Sequence, residues 1–132
     1  MVKVGVVGAS GYTGLELVKM LVTHDGFQLT YLATTQGDTM IEKLHPSLVD
    51  VISLPVEKAD AASVAERCEL VFLALPHKAS MGFAKELLDN RVKVVDLSAD
   101  YRLDLDTYET YYCAHEDKGH LDDATYALIE YY

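Results

Sequence analysis

The run Lys3-Val4-Gly5-Val6-Val7-Gly8-Ala9-Ser10-Gly11-Tyr12-Thr13-Gly14 begins as an apolar strand and breaks directly into spaced glycines that lead into a helix-period stretch. Strand, glycine turn and helix in that order are the opening of a βαβ unit built to carry phosphate. Gly8 makes the tight turn, Gly11 lets backbone approach a pyrophosphate with no Cβ in the way, and Gly14 allows helix to pack closely on strand. The N–H groups at the start of the helix then face the phosphates, helped by the helix dipole. Ser10 and Thr13 add hydroxyl donors, with Tyr12 beside them in the same loop. The plain alternative is a glycine-rich turn that only reverses the chain. The strand before it, the amphipathic helix after it and a second strand at the right distance favour phosphate.

Outward from this loop, the apolar pattern keeps switching between short continuous runs and helix-period stretches, the signature of a mostly parallel sheet. Residues Lys3 to Val7, Leu70 to Leu75 and Val92 to Leu97 are short, rich in β-branched residues and apolar on both faces, as strands covered by helices on both sides must be. Phe27 to Ala33 is the second strand. Helices are expected over Tyr12 to His24, with Leu15, Val18, Leu21 and Val22 on one stripe, and over Asp60 to Cys68, with Asp60 as N-cap. Ser80 to Asn90 repeats the pattern through Phe83, Leu87 and Leu88. Met40 to Leu44 makes only a short helix before His45-Pro46, and Leu54-Pro55-Val56 reads as an edge strand, because proline cannot donate to a central ladder. Residues Asp104 to Tyr112 are acidic and tyrosine-rich with no clear period, and Asp117-Lys118-Gly119 reads as a turn. The expectation is one α/β domain over residues 1–132, a Rossmann-type doubly wound, mostly parallel sheet with helices on both faces.

Composition narrows the function. A chain of 132 residues, 50% apolar and 24% charged, suits a single globular core. Its net charge of −10 opposes the counterion release that nucleic acids and anionic membranes reward, so neither is an expected partner. An anionic cofactor stays compatible, since loop amides bind phosphate whatever the overall charge. No stretch approaches the ~20 apolar residues that span a bilayer, and the first residues lack a signal-peptide cleavage site, so a cytoplasmic location is expected. Cys68 and Cys113 are too few for a disulfide framework and read as reduced thiols.

Cofactor choice is read at the end of the second strand. An NAD-preferring site places a carboxylate ~20 residues after the glycines. Here the region is Ala33-Thr34-Thr35-Gln36-Gly37, with Asp38 arriving late. Neutral Thr34, Thr35 and Gln36 tolerate a 2′-phosphate that a carboxylate would repel, so NADP is favoured, although no arginine stands there to grip it. Leu75-Pro76-His77 follows a strand at its carboxyl end, where open α/β sheets bind ligands, and Pro76 fixes a turn near the nicotinamide. His77 is read as a cofactor contact rather than a general base, because it has no partner in the sequence. His24, His45, His115 and His120 rank below it.

The glycine loop, Leu75-Pro76-His77 and above all Val95-Asp96-Leu97-Ser98-Ala99-Asp100-Tyr101-Arg102-Leu103 together resemble the N-acetyl-gamma-glutamyl-phosphate reductases, relatives of the aspartate-semialdehyde dehydrogenases. The likeness runs from the first strand to Tyr126 or beyond. It implies NADPH-dependent reduction of N-acetyl-glutamyl 5-phosphate to the semialdehyde with release of phosphate, a step of arginine biosynthesis. In such chemistry a cysteine thiolate attacks the acyl phosphate and hydride reduces the thioester. The family carries that cysteine in an Asn-Pro-Gly-Cys-Tyr segment after a Tyr-Gly-Leu-Pro-Glu segment, with a base histidine much later. This chain reaches only Tyr126-Ala127-Leu128-Ile129-Glu130, with Ala127 and Ile129 where the family has glycine and proline, so no catalytic residue is assigned within it. The resemblance places Ser98 in the cofactor site. Arg102, a cation just beyond the last strand, is the candidate for substrate phosphate or carboxylate, weighed against a surface salt bridge with Asp100 or Asp104. Cys113 does not match the nucleophile's flanks. The chain stops in mid-pattern at Tyr132, as a truncated chain would, and the full protein is expected to be a homo-oligomer. Reduction of another acyl phosphate, aspartyl or carrier-linked aminoadipyl, and a stand-alone nucleotide-binding module are the alternative readings.

Overall fold

A computed structural model describes residues 1–76, 78–127 and 130. Six strands form one sheet: β1 (Val2–Val7), β2 (Phe27–Thr34), β3 (Thr39–Met40), β4 (Pro55–Lys58), β5 (Leu70–Leu73) and β6 (Lys93–Asp96). Their spatial order is β3-β4-β2-β1-β5-β6, parallel throughout except for the antiparallel β3. The chain winds from β1 to β2 and β4 on one side, then crosses back to β5 and β6 on the other. The order therefore reverses between β1 and β5, and the crevice outside their carboxyl ends is the ligand-binding position of such sheets.

Both faces of the central strands are covered, as their apolar residues require, whereas β6, expected to be covered on both sides, leaves Val95 39% exposed at the sheet's edge. Val4, Val6, Leu32 and Val56 pack with Val18 and Leu21 of α1 (Tyr12–Val22), together with Ile41 of α2 (Ile41–Leu44) and Leu48 of a single 3-10 turn. On the opposite face Val7, Tyr31, Ala33, Val71 and Leu73 pack with Ala61 and Val64 of α3 (Ala61–Arg67) and with Ala84 and Leu87 of α4 (Ala79–Asp89). Successive side chains of a strand point to opposite faces, so Val6 and Val7 feed different cores. Asp60 caps α3 as expected, its carboxylate accepting the Ser63 N–H.

Three local expectations are corrected. Pro55 opens β4, but β4 is not the edge: it pairs with β2 on one side and with the two-residue β3 on the other, and β3 is the edge. Proline sits at the first strand residue, where a missing donor costs little. Residues Leu105–Tyr111 form a helix, α5, capped by Asp104 through the Thr107 N–H. Only Tyr108 of that helix is buried, so no apolar stripe exists to betray it. Lys118–Leu121 closes as a short helix, α6, rather than a simple turn.

Among the described residues no helix is long and apolar enough to cross a membrane.

Candidate functional site

The three glycines lie at the reversal point, and each has a distinct steric reason. Gly8 has φ +95°, and a Cβ there would sit 2.3 Å from the carbonyl oxygen of Ala74, just past β5. A Cβ on Gly14 would meet the Gly8 carbonyl oxygen at 2.4 Å. Around Gly11 nothing lies within 4 Å of that position. Gly8 and Gly14 thus let strand, turn and helix touch backbone to backbone, while Gly11 faces open space.

The amides divide in the same way. The Gly8 and Ala9 N–H groups both donate to the carbonyl of Ala33, at 2.9 and 3.1 Å, tying the loop to the end of β2. Gly11 is the N-cap of α1 and makes no side-chain cap bond. The first internal helix bond runs from the Leu15 N–H to the Gly11 carbonyl, so the N–H groups of Tyr12, Thr13 and Gly14 have no protein partner among the described residues. Ser10, Gly11, Tyr12 and Thr13 are exposed, Tyr12 by 91%. Free amides at a dipole's positive end, with no Cβ in front of them, fit a dinucleotide pyrophosphate. The loop is also braced from below: buried His45 places Nε2 2.7 Å from the Ala9 carbonyl oxygen, a contact across 36 residues that sequence reading did not find.

At the end of β2, Thr34 is buried and its hydroxyl oxygen accepts the Gly37 N–H at 2.8 Å, closing a tight turn. Gly37 has φ +63°, and a Cβ there would fall 2.1 Å from the Lys58 nitrogen. Thr35 and Gln36 are left exposed on this turn. Lys58, exposed at the end of β4 and in register with Thr34, puts a cation at the same lip where the sequence had offered no arginine. Its sequence distance from the turn hid it.

On the other side of the reversal point, Leu75 is half-buried and Pro76 exposed, directly after the Ala74 carbonyl that Gly8 clears. The expectation for His77 lies outside the described residues. Ser98 is 4% exposed; its hydroxyl donates to Asp96 at 2.8 Å and accepts the Asp100 N–H at 3.1 Å, so its one proton is already placed. Arg102 is exposed and donates to the Leu97 carbonyl at 2.7 Å, with its guanidinium 5.7 Å from the centre of the Tyr126 ring. It forms no ion pair with Asp100 or Asp104 among the described residues, because Asp100 is turned wholly inward. Arg102 lines a cleft of about 540 Å³ beside β6, shared with Ser98, Tyr101 and Tyr126.

Three further histidines bond within the protein. His24 accepts the Gly26 N–H, His115 sets Nε2 2.6 Å from the Asp100 carbonyl oxygen, and His120 meets Asp117 at 2.8 Å. Both cysteines are free. Cys68 is buried, and burial pushes its thiol above the ordinary value despite the Thr30 hydroxyl nearby. Cys113 is half-buried beside the Tyr108 hydroxyl, 3.9 Å away. Burial, with the hydrogen bond to Asp117 second, holds the Tyr101 phenol well above its usual range.

Known proteins resemble this chain in sequence and in fold. The chain is 78% identical, over all 132 of its residues, to the N-acetyl-gamma-glutamyl-phosphate reductase of Sulfurovum sp. (strain NBC37-1), and 57% identical to that of Wolinella succinogenes over 98% of its length. It spans 39% of the length of each of these relatives. In fold it matches the aspartate semialdehyde dehydrogenase of Candida albicans, solved with NADP, at a TM-score of 0.70 and 20% identity, over 80% of this chain and 32% of that one. The family model for the semialdehyde dehydrogenase, NAD binding domain, matches residues 3–132. The chain therefore belongs to the semialdehyde dehydrogenase NAD-binding domain family.

Proposed function

We propose that this chain is the cofactor-holding domain of an NADPH-dependent reductase that converts N-acetyl-glutamyl 5-phosphate to N-acetyl-glutamate 5-semialdehyde and phosphate, in the cytoplasm and within a homo-oligomer. The observation that carries the reading is the N-terminus of α1: three amides without protein partners, no Cβ before them, and a position at the reversal point of the sheet. The 78% identity to a reductase of that name supports the choice of acyl phosphate. NADPH supplies the hydride when bound. The chain's own residues bind and orient it. Gly8, Gly11 and Gly14 admit the pyrophosphate to the amides of Tyr12 and Thr13, and the Ser10 and Thr13 hydroxyls add donors. Thr34, Thr35 and Gln36 form the neutral lip for the adenosine ribose, where Lys58 adds positive charge for a 2′-phosphate. Leu75 and Pro76 border the nicotinamide half, and Arg102 faces the substrate's anionic end from the β6 cleft. The thiol nucleophile and base histidine belong to the part of the relatives' length that this chain does not span.

Calorimetric titration of this chain with NADPH and NADH tests the reading. NADPH is expected to bind the more tightly, and the chain alone to reduce no acyl phosphate. Equal affinities remove the argument from Thr34 to Gln36, and turnover by this polypeptide shows the chemistry to be wrongly placed.

A further inference from the structure

The carboxylate of Asp100 is 0% exposed and accepts four hydrogen bonds from three groups. Both oxygens take the Lys78 N–H, at 3.0 and 2.9 Å; the Met81 N–H reaches Oδ2 at 2.8 Å, and the Tyr108 hydroxyl reaches Oδ1 at 2.8 Å. Lys78 is the N-cap of α4, and it lies at φ +72°, a region that side-chain-bearing residues rarely adopt. Its own side chain provides no cap bond. Asp100 thus does for α4, from 22 residues away, what an N-cap side chain does locally, and its charge opposes the positive end of the helix dipole.

The backbone of Asp100 is held as well. The Ser98 hydroxyl accepts the Asp100 N–H, and His115 Nε2 bonds the Asp100 carbonyl oxygen at 2.6 Å. The two helix N-termini that frame the crevice therefore differ in kind. That of α1 is open to a ligand, and that of α4 is closed by the protein's own anion. What Asp100 fixes is the first turn of α4, and that turn holds Pro76, the Ser80 N–H donating to the Pro76 carbonyl at 3.2 Å.

We infer that Asp100 is a positioning residue for cofactor: by pinning Lys78 and Met81 it sets the Leu75-Pro76 segment against the nicotinamide half of the nucleotide, and it leaves the adenosine half untouched. This inference rests on the NADPH reading above. The two halves of a doubly wound sheet each take one mononucleotide, which makes the effect separable.

Fluorescence titration of the intact protein with NADPH, and competition by 2′-phospho-ADP-ribose, which lacks the nicotinamide, test it. Asp100→Asn keeps the size but turns an amide toward the Lys78 or Met81 N–H; it is expected to weaken NADPH about tenfold. Binding of 2′-phospho-ADP-ribose is expected to stay within about twofold of the parent. Equal weakening of both ligands, or unchanged NADPH affinity, overturns the positioning role while the carrier reading stands. A parent protein that binds neither nucleotide overturns both. Should Asp100→Asn not fold, Tyr108→Phe decides, since it removes one bond and keeps the two amide contacts. It is expected to speed hydrogen exchange at Lys78 and Met81 and to weaken NADPH alone by about threefold; unchanged affinity refutes the role.

Discussion

His45 Nε2 donates a hydrogen bond to the Ala9 carbonyl, 2.7 Å away, and both residues are buried. A carbonyl only accepts, so the proton sits on Nε2. The bond clamps the glycine loop to the segment that follows α2. His45→Ala leaves that carbonyl buried without a partner and is expected to lower stability by about 1–3 kcal/mol in denaturant unfolding. NADPH binding should weaken beyond what the loss of folded protein explains, measured on the folded fraction at low temperature.

Gly11 and Gly14 should respond in opposite ways to the same alanine. Gly14→Ala forces a Cβ to within 2.4 Å of the Gly8 oxygen, where no flexible atom can yield, and is expected to cost at least ~1–3 kcal/mol of folding stability. Gly11→Ala meets nothing in the unliganded protein, so its stability cost should be about 1 kcal/mol or less. Its NADPH affinity should nevertheless fall at least about tenfold, because the added methyl stands where the pyrophosphate approaches. Thermal melts read beside titrations check both halves; a Gly11→Ala variant that binds normally counts against the site.

Lys58 lies in register with Thr34, beside the turn that Gly37 closes. Lys58→Gln should weaken NADPH about tenfold and leave NADH nearly unchanged, since only the former brings a 2′-phosphate to the lip. Parallel losses for the two cofactors would place Lys58 elsewhere in the binding surface.

The caps of α3 and α5 predict an acid-labile increment of stability. Hydrogen bonds from Ser63, side chain first and then backbone, hold Asp60 below the ordinary aspartate value, and Thr107 does the same for Asp104. A carboxyl depressed in the folded state stabilises fully above its unfolded value and loses that contribution as pH falls through the folded one. The difference in melting temperature between the parent and Asp60→Ala should therefore be constant near neutrality and shrink below the normal aspartate range. A difference independent of pH would show that Asp60 acts without its charge.

Much of this fold is legible because its central strands, β1 and β5 and the end of β2, are apolar and buried. Val4 to Val7 could hardly be read otherwise than as a central strand, and the spacing of Gly8, Gly11 and Gly14 marked the turn that lies at the sheet's reversal point. What escaped reading is whatever depends on distant partners. Asp100 and Lys78 are 22 residues apart, His45 and Ala9 are 36, and no periodicity records either bond. The helix from Leu105 to Tyr111 was hidden because it buries a single ring and is fixed by a cap and a phenol rather than by an apolar stripe. Lys58 was missed for a third reason: strand pairing, not sequence proximity, carries it to the turn after β2.

Gly14 leaves no room for a methyl group above the Gly8 oxygen, which means the cradle is carved out of main chain with no side chain available to enlarge or shrink. Anyone shifting this scaffold between the phosphorylated and unphosphorylated cofactors would find nothing to edit there. The whole vocabulary of change is confined to the rim, at Thr35, Gln36 and Lys58, and substitutions at those exposed sites would leave the backbone cradle as it stands.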